Sequence, residues 1–285
     1  MALDKCNHCG NEIPPHIERC PHCALPGLFP NVRAAERPEE KKALTDRYQE
    51  SIEKAISRGC QDVVKDFEAA ISSSQAVITR SITETSRLIS SDKQLNATYY
   101  ELLEAGVRLP SGNEWDAIRE VVDSALFPYY KKYISFGALS LEGIGFSNYG
   151  ECSLILDEHM IAHRATVFEE NSIIFMKKHN ISMSKANELP PGYRALWAER
   201  NKLCIAKLAD NLSPTTGKET YPEILMKEGK TSTADSFVEV HIWGPMTKHT
   251  LKQLLINNPK RKTSRVILKA MSEELKKINI NTKVA

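Results

Sequence analysis

Four cysteines within the first 23 residues, Cys6-x2-Cys9, ten residues, then Cys20-x2-Cys23, tie the start of this chain to a metal ion. A cysteine pair two residues apart lets two sulfurs of one tight turn reach one ion. Two such turns close four thiolates tetrahedrally around zinc. Gly10, directly after Cys9, suits a knuckle turn that needs positive φ. His8 and His22 lie inside the two knuckles and could compete as ligands. Four cysteines already close the shell, so the two histidines read as turn residues and the zinc as structural. A stretch of about 30 residues cannot build a core without its metal. Residues 1–30 are therefore expected to form a zinc ribbon with four cysteine ligands. Two unrelated Cys-x2-Cys pairs are the bland alternative.

The chain has 285 residues, 41% of them hydrophobic and 26% charged, which leaves room for one sizeable core beside the small module. Mean hydropathy is −0.36, and no 18-residue apolar run is present, so no membrane helix is expected. The first residues carry no charged-then-apolar leader, so secretion is not expected. Cys60, Cys152 and Cys204 are scattered and read as ordinary reduced, buried thiols. A reducing cytoplasm fits these features. The net charge of +2 hides an asymmetry. Residues 245–285 hold ten Lys and Arg against two Asp and Glu, a local +8, while the remainder holds 28 against 34, or −6. A basic end suggests a phosphate-bearing partner such as a nucleic acid. Solvated helix faces would explain it equally well.

Pro26, Gly27 and Pro30 read as a linker. Pro38 with Glu39 and Glu40 then opens a helix, with proline in the first turn and acid at the positive dipole end. Leu44, Tyr48, Ile52 and Ile56, and beyond Gly59 Val63, Val64, Phe67 and Ile71, recur at helical spacing. Residues 31–72 are therefore expected to be a helical connector or interaction arm. Strands are expected at 76–81, 133–141, 152–156, 172–177 and 236–243. Helices are expected at 82–89 and 95–103, over the helically spaced Trp115, Ile118, Val122 and Leu126, and at 193–212, 247–256 and 264–278. No regular βαβ alternation, Gly-rich phosphate loop, GxSxG or HExxH is present, which argues against Rossmann, P-loop and zincin chemistry. The expected class is α+β with a mainly antiparallel sheet over residues 73–285.

The segment Phe237-Val238-Glu239-Val240-His241-Ile242-Trp243 is the most informative part of this body. Alternation puts Val238, Val240 and Ile242 on one face, the core side. Phe237, Glu239, His241 and Trp243 share the other. A carboxylate flanked by aromatics reads as a cleft floor, or as an edge strand whose aromatics meet a neighbouring helix.

The N-terminal motif resembles zinc ribbons and rubredoxin-like knuckles, modules that bind nucleic acid, bind protein or cap an end. Glu239 opening Val-x-Ile-x-Gly ahead of an apolar-spaced stretch resembles the glutamate strand of ADP-ribosyltransferases. The similarity is greatest to nucleic-acid-modifying toxins of bacterial toxin–antitoxin and antiphage systems. Val77-Ile78-Thr79-Arg80-Ser81 resembles the first core strand, whose arginine holds NAD in that family. Tyr149-Gly150, Arg164-Ala165-Thr166-Val167 and Asn171-Ser172 resemble the middle of such domains. The resemblance spans residues 71–258 and its motifs are short. It implies Glu239 as the catalytic residue. Arg80, then Arg164, would grip the NAD pyrophosphate, and Tyr149 would stack on nicotinamide. Phe237 and His241 would be acceptor contacts, although His241 could simply pack. Where transferases acting on protein arginine carry a second glutamate, this chain has Phe237, which argues against arginine modification and leaves a nucleobase or other acceptor. Ser135 and Ser140 are candidates for the family's serine motif. The resemblance implies NAD as substrate, a cytoplasmic toxin, nucleic acid as acceptor and a neutralising protein partner. A non-enzymatic zinc-ribbon adaptor that binds nucleic acid or protein is the alternative. A metal-independent nuclease using Glu239 and His241 ranks last, because clustered acids are missing.

Overall fold

The computed structural model describes residues 4–106, 114–181, 189–230, 234–257 and 262–284. At the N-terminus, β1 (Asp4–Lys5) pairs antiparallel with β2 (Glu12–Ile13). Ile13 is fully buried there among Cys6 and Cys20. Three helices follow: α1 (Pro30–Glu36), α2 (Pro38–Ser57) and α3 (Gln61–Ser72). A proline opens each of the first two, where a missing backbone N–H costs nothing.

The remaining elements are β3 (Gln75–Arg80), α4 (Ile82–Ile89), α5 (Tyr99–Glu104), α6 (Glu114–Leu126), β4 (Ile134–Ser140), β5 (Cys152–Leu156), α7 (Glu158–Ile161), β6 (Ala165–Phe168), α8 (Ser172–Lys178), β7 (Arg194–Leu196), α9 (Arg200–Leu208), α10 (Tyr221–Leu225), β8 (Glu239–Trp243), β9 (Leu251–Ile256), α11 (Lys262–Lys276) and β10 (Asn281–Val284). Eight strands form one sheet in the order β10-β9-β5-β3-β4-β8-β6-β7. Every pairing is antiparallel except β9 with β10. The mixed, mainly antiparallel architecture is the one expected.

The two faces of the sheet are covered differently. On one, Ile78, Leu154, Val167, Val240, Ile242 and Leu254 share a single large cluster with the helices. Leu44, Val64, Phe67 and Ile71 of α2 and α3 belong to this cluster, and both helices pack on α9. Burying a side chain the size of Phe67 is worth about 1.5–3 kcal/mol. Residues 31–72 are thus helical as expected, but α2 and α3 are part of the body's core and not a free arm. The opposite face carries three separate smaller clusters: Val77 with Ile155, Ala138 with Phe146 and Phe237, and Ile134, Phe168 and Trp243 with α6 and α8.

Three elements differ from their expected form. Residues 172–178 are helix α8, because the Asn171 side chain caps it by accepting from the Ile173 N–H at 3.0 Å. The Ile-Ile pair, taken alone, favours a strand. Residues 251–256 are strand β9: Leu251, Leu254 and Leu255 mimic a helical stripe, but pairing to β5 and β10 overrides it. The stretch 193–212 splits into β7, which pairs with β6, and the shorter α9.

The ribbon is tied to the body by one buried arginine. Arg33 of α1 donates to Asp4 at 3.3 Å and to the carbonyls of Leu28, Pro14, Pro15 and Ile17 at 2.6, 3.2, 3.3 and 2.8 Å. Arg37 completes the Asp4 carboxylate at 2.9 Å. At the end of β8, the Trp243 indole N–H donates to Glu18 at 3.2 Å. Asn31 donates to the carbonyls of His241 and Arg164 at 3.2 and 3.0 Å.

Candidate functional site

In the ribbon, the Sγ atoms of Cys6, Cys9, Cys20 and Cys23 all lie within 4.8 Å of one another. The two knuckles repeat one geometry. Gly10 N–H donates to the Cys6 carbonyl and Ala24 N–H to the Cys20 carbonyl, each at 2.9 Å. Both Gly10 (φ +73°) and Ala24 (φ +58°) are left-handed. The amides of His8 and His22 point at the Cys6 and Cys20 sulfurs at 3.4 Å. Amides of Cys9 and His8 pull the Cys6 thiol down to about 6, whereas burial and the neighbouring sulfurs push Cys23 up to about 11, so the charge of a metal ion is what would hold all four as thiolates. Four soft sulfurs in one tetrahedral cluster fit zinc, with the shell closed. The imidazole of His8 is engaged by the Pro26 carbonyl at 3.1 Å, in keeping with a turn role.

The second site is a cavity of 260 Å³ on the face of the sheet with the divided clusters. Its floor is β3, β4 and β8, and α4, α5, α6 and the start of α8 contribute to its walls. Register explains the floor. Val77 faces Ala138, and Ala138 faces Glu239, so the three strands bring one row across the sheet. β8 is an interior strand between β4 and β6, which excludes the edge-strand alternative.

Glu239 is 6% exposed and lines the cavity. Its Oε2 accepts from the Ser172 amide at 3.3 Å and meets His241 Nε2 at 2.9 Å. The His241 ring is enclosed by Phe127, Phe136 and Phe168 at centroid distances of 4.7, 5.4 and 5.7 Å. Locked in this way, the imidazole fixes the carboxylate's orientation. His241 does not line the cavity, so its expected role as an acceptor contact gives way to a positioning one.

Arg80 ends β3 at the border of the cavity, about 14 Å from Glu239 by strand rise and spacing; like Ser135 it has its register partner, Cys152, on the large-core side, and its Nη1 donates to the Thr79 carbonyl at 3.1 Å. Tyr149 lines the same cavity and is 43% exposed. Gly150 makes this approach feasible: a Cβ there would collide with the Arg80 backbone, and its φ is +146°. Phe237 also lines the cavity and packs on Phe146 at 4.9 Å. Arg164 does not reach it. Its guanidinium donates to the carbonyls of Met160, Trp243 and Pro245 at 3.0, 2.6 and 2.9 Å, closing the end of β8. Arg164 is therefore corrected from a cofactor contact to a strand-end brace. Ser135 borders the cavity, but its partner in register is Ile242, on the large-core side. Ser140 donates to the Ile144 carbonyl at 2.9 Å and lies outside the lining.

Sequence reading misses Arg119 and Asp123 of α6. Arg119 lines the cavity, with its guanidinium carbon 4.9 Å from the Tyr99 ring centre and 4.7 Å from that of Phe136. Asp123, 1% exposed, accepts from Arg119 Nε at 3.2 Å and from the Tyr100 hydroxyl at 2.7 Å. Burial pushes its carboxyl upward despite these donors. In sequence both read as the polar face of an amphipathic helix, and no motif distinguishes them.

The basic end is also divided by the fold. Lys248 is buried and paired with Asp92 at 2.9 Å, while Lys252, Arg265 and Lys269 are exposed. No helix among the described residues is long and apolar enough to cross a membrane. In comparisons with known proteins, no family model and no curated protein matches this chain.

Proposed function

We propose that this chain is an NAD-dependent ADP-ribosyltransferase whose acceptor is a nucleic acid base, of the kind used as toxins in bacterial toxin–antitoxin or antiphage systems. The observation that carries this reading is the convergence of Glu239, Arg80 and Tyr149 on one cavity, with the carboxylate held by an amide and an enclosed imidazole. Breaking the bond between ribose C1′ and nicotinamide sends its electrons to the leaving ring and builds positive charge on the sugar. A carboxylate in a water-poor cleft stabilises that charge and orders the ribose hydroxyls. The acceptor's lone pair then closes on C1′. Arg80 would grip the pyrophosphate through two N–H groups, and Tyr149 at the rim would stack on the nicotinamide. Phe237 gives the acceptor a flat apolar neighbour in place of a second carboxylate. The zinc is structural in this scheme. The ribbon and the exposed basic residues near the C-terminus offer a surface for the acceptor or a neutralising protein.

The test is to incubate the zinc-loaded protein with NAD labelled on the adenylate and separate RNA, DNA and protein pools. Label is expected in a nucleic acid pool, and Glu239→Gln should leave the melting curve near that of the parent while lowering NAD consumption at least about 100-fold. Equal consumption by the variant removes Glu239 from the chemistry. The ribbon's exposed knuckle residues Asn7, His8, Cys9, Pro21 and His22 favour the adaptor reading as the second choice. In that case NAD gives no thermal shift at any concentration.

A further inference from the structure

Arg119 is fixed at one edge and open at the other. Only its Nε meets Asp123, at 3.2 Å. Among the described residues, neither Nη has a hydrogen-bond acceptor. An arginine serving only as counter-ion to a buried carboxylate gains most from two parallel N–H bonds. Here a single bond is spent on Asp123, whose Oδ2 also takes the Tyr100 hydroxyl and whose Oδ1 has no partner among the described residues. The second edge is turned away from it. The guanidinium carbon lies 4.9 Å from the Tyr99 ring centre and 4.7 Å from that of Phe136, which holds the group beside two rings, and its side chain remains 30% exposed in the cavity. Glu239 and Glu84 line the same cavity and would repel an anion, so Arg119 and Arg80 are the lining groups that attract one.

We propose that Arg119 is a phosphate clamp, taking a nonbridging oxygen pair of a nucleoside diphosphate group through its two Nη atoms. Asp123 acts as the brace that aims it. This rests on the reading of the cavity as a nucleotide site and adds a contact that reading did not contain. With Arg80 bordering the same cavity from β3, the diphosphate would be held between two cations while its sugar reaches toward Glu239. A guanidinium fits because it forks; a lysine at the same place supplies charge without the fork.

Calorimetric titration of the zinc-loaded full chain tests this, with ADP-ribose, inorganic pyrophosphate and nicotinamide as separate probes. Arg119→Gln is expected to weaken ADP-ribose and pyrophosphate by about 10- to 100-fold and to leave nicotinamide unchanged. Arg119→Lys, which still neutralises Asp123 and so guards against misfolding, is expected to weaken both anions as well. Parent-like anion affinity in the lysine variant, or in a folded glutamine variant, overturns the clamp while leaving the NAD reading in place. If the parent binds pyrophosphate through Arg119 but not ADP-ribose, the clamp stands and the nucleotide reading falls. A parent that binds neither anion overturns both.

Discussion

The thiols of the ribbon lie within 17 residues of one another along the chain, whereas the charged groups of the cavity arrive from β3, α4, α6 and β8. The ribbon's four sulfurs lie close enough to hold one metal ion and need only two turns of the right shape. The cavity owes its geometry to strand register and to the helices laid over it. A site of the first kind announces itself by spacing; a site of the second kind exists only in the folded state.

Breaking the metal shell should have the largest effect. Cys20→Ser is expected to lose stoichiometric zinc and leave the ribbon amides exchanging as in an unfolded chain, because metal binding supplies about 10–16 kcal/mol to such modules. β3 and β5, interior to the sheet, should stay protected. Metal analysis with hydrogen exchange reads both, and protected ribbon amides in the zinc-free variant would refute a metal-dependent fold. Next in size is the joint between the regions. Arg33→Met leaves the Asp4 carboxylate with Arg37 alone and takes a donor from four carbonyls, so about 1–3 kcal/mol of stability should be lost in denaturant titration. An unchanged midpoint would mean that the two regions are energetically separate. The smallest effect belongs to the second knuckle. Ala24→Gly relieves a left-handed alanine and should raise stability by about 0.5 kcal/mol, read as a higher melting temperature of the zinc-loaded protein. A lower one would show that Ala24 is unstrained.

Legibility in the sequence follows the same division. The cysteine quartet, α4 and β5 are readable because capping, spacing and β-branching act over a few residues. Glu239 is readable because alternation along one strand exposes a carboxylate among aromatics. Arg80 is found through its strand, whereas Arg164 is misread because a strand-start arginine looks the same whether it faces a cleft or braces carbonyls. β9 reads as a helix because its leucine spacing fits both periods, and only its neighbours in the sheet decide. Arg119 and Asp123 stay hidden because their importance comes from what α6 faces, and that is set by contacts with β4 and α5.

The indole of Trp243, held by Glu18 of the ribbon, carries a consequence for the strand it terminates. β8 places Glu239 on the cavity face only in its present alignment with β4 and β6. A shift by one residue would turn the carboxylate into the large core and bring Val240 to the cavity. Asn31, Arg164 and the ribbon all grip the far end of this strand, through the His241 and Trp243 carbonyls and the indole. The four-cysteine module thus works as an end stop for β8, and a metal held there would help keep the count of residues along that strand.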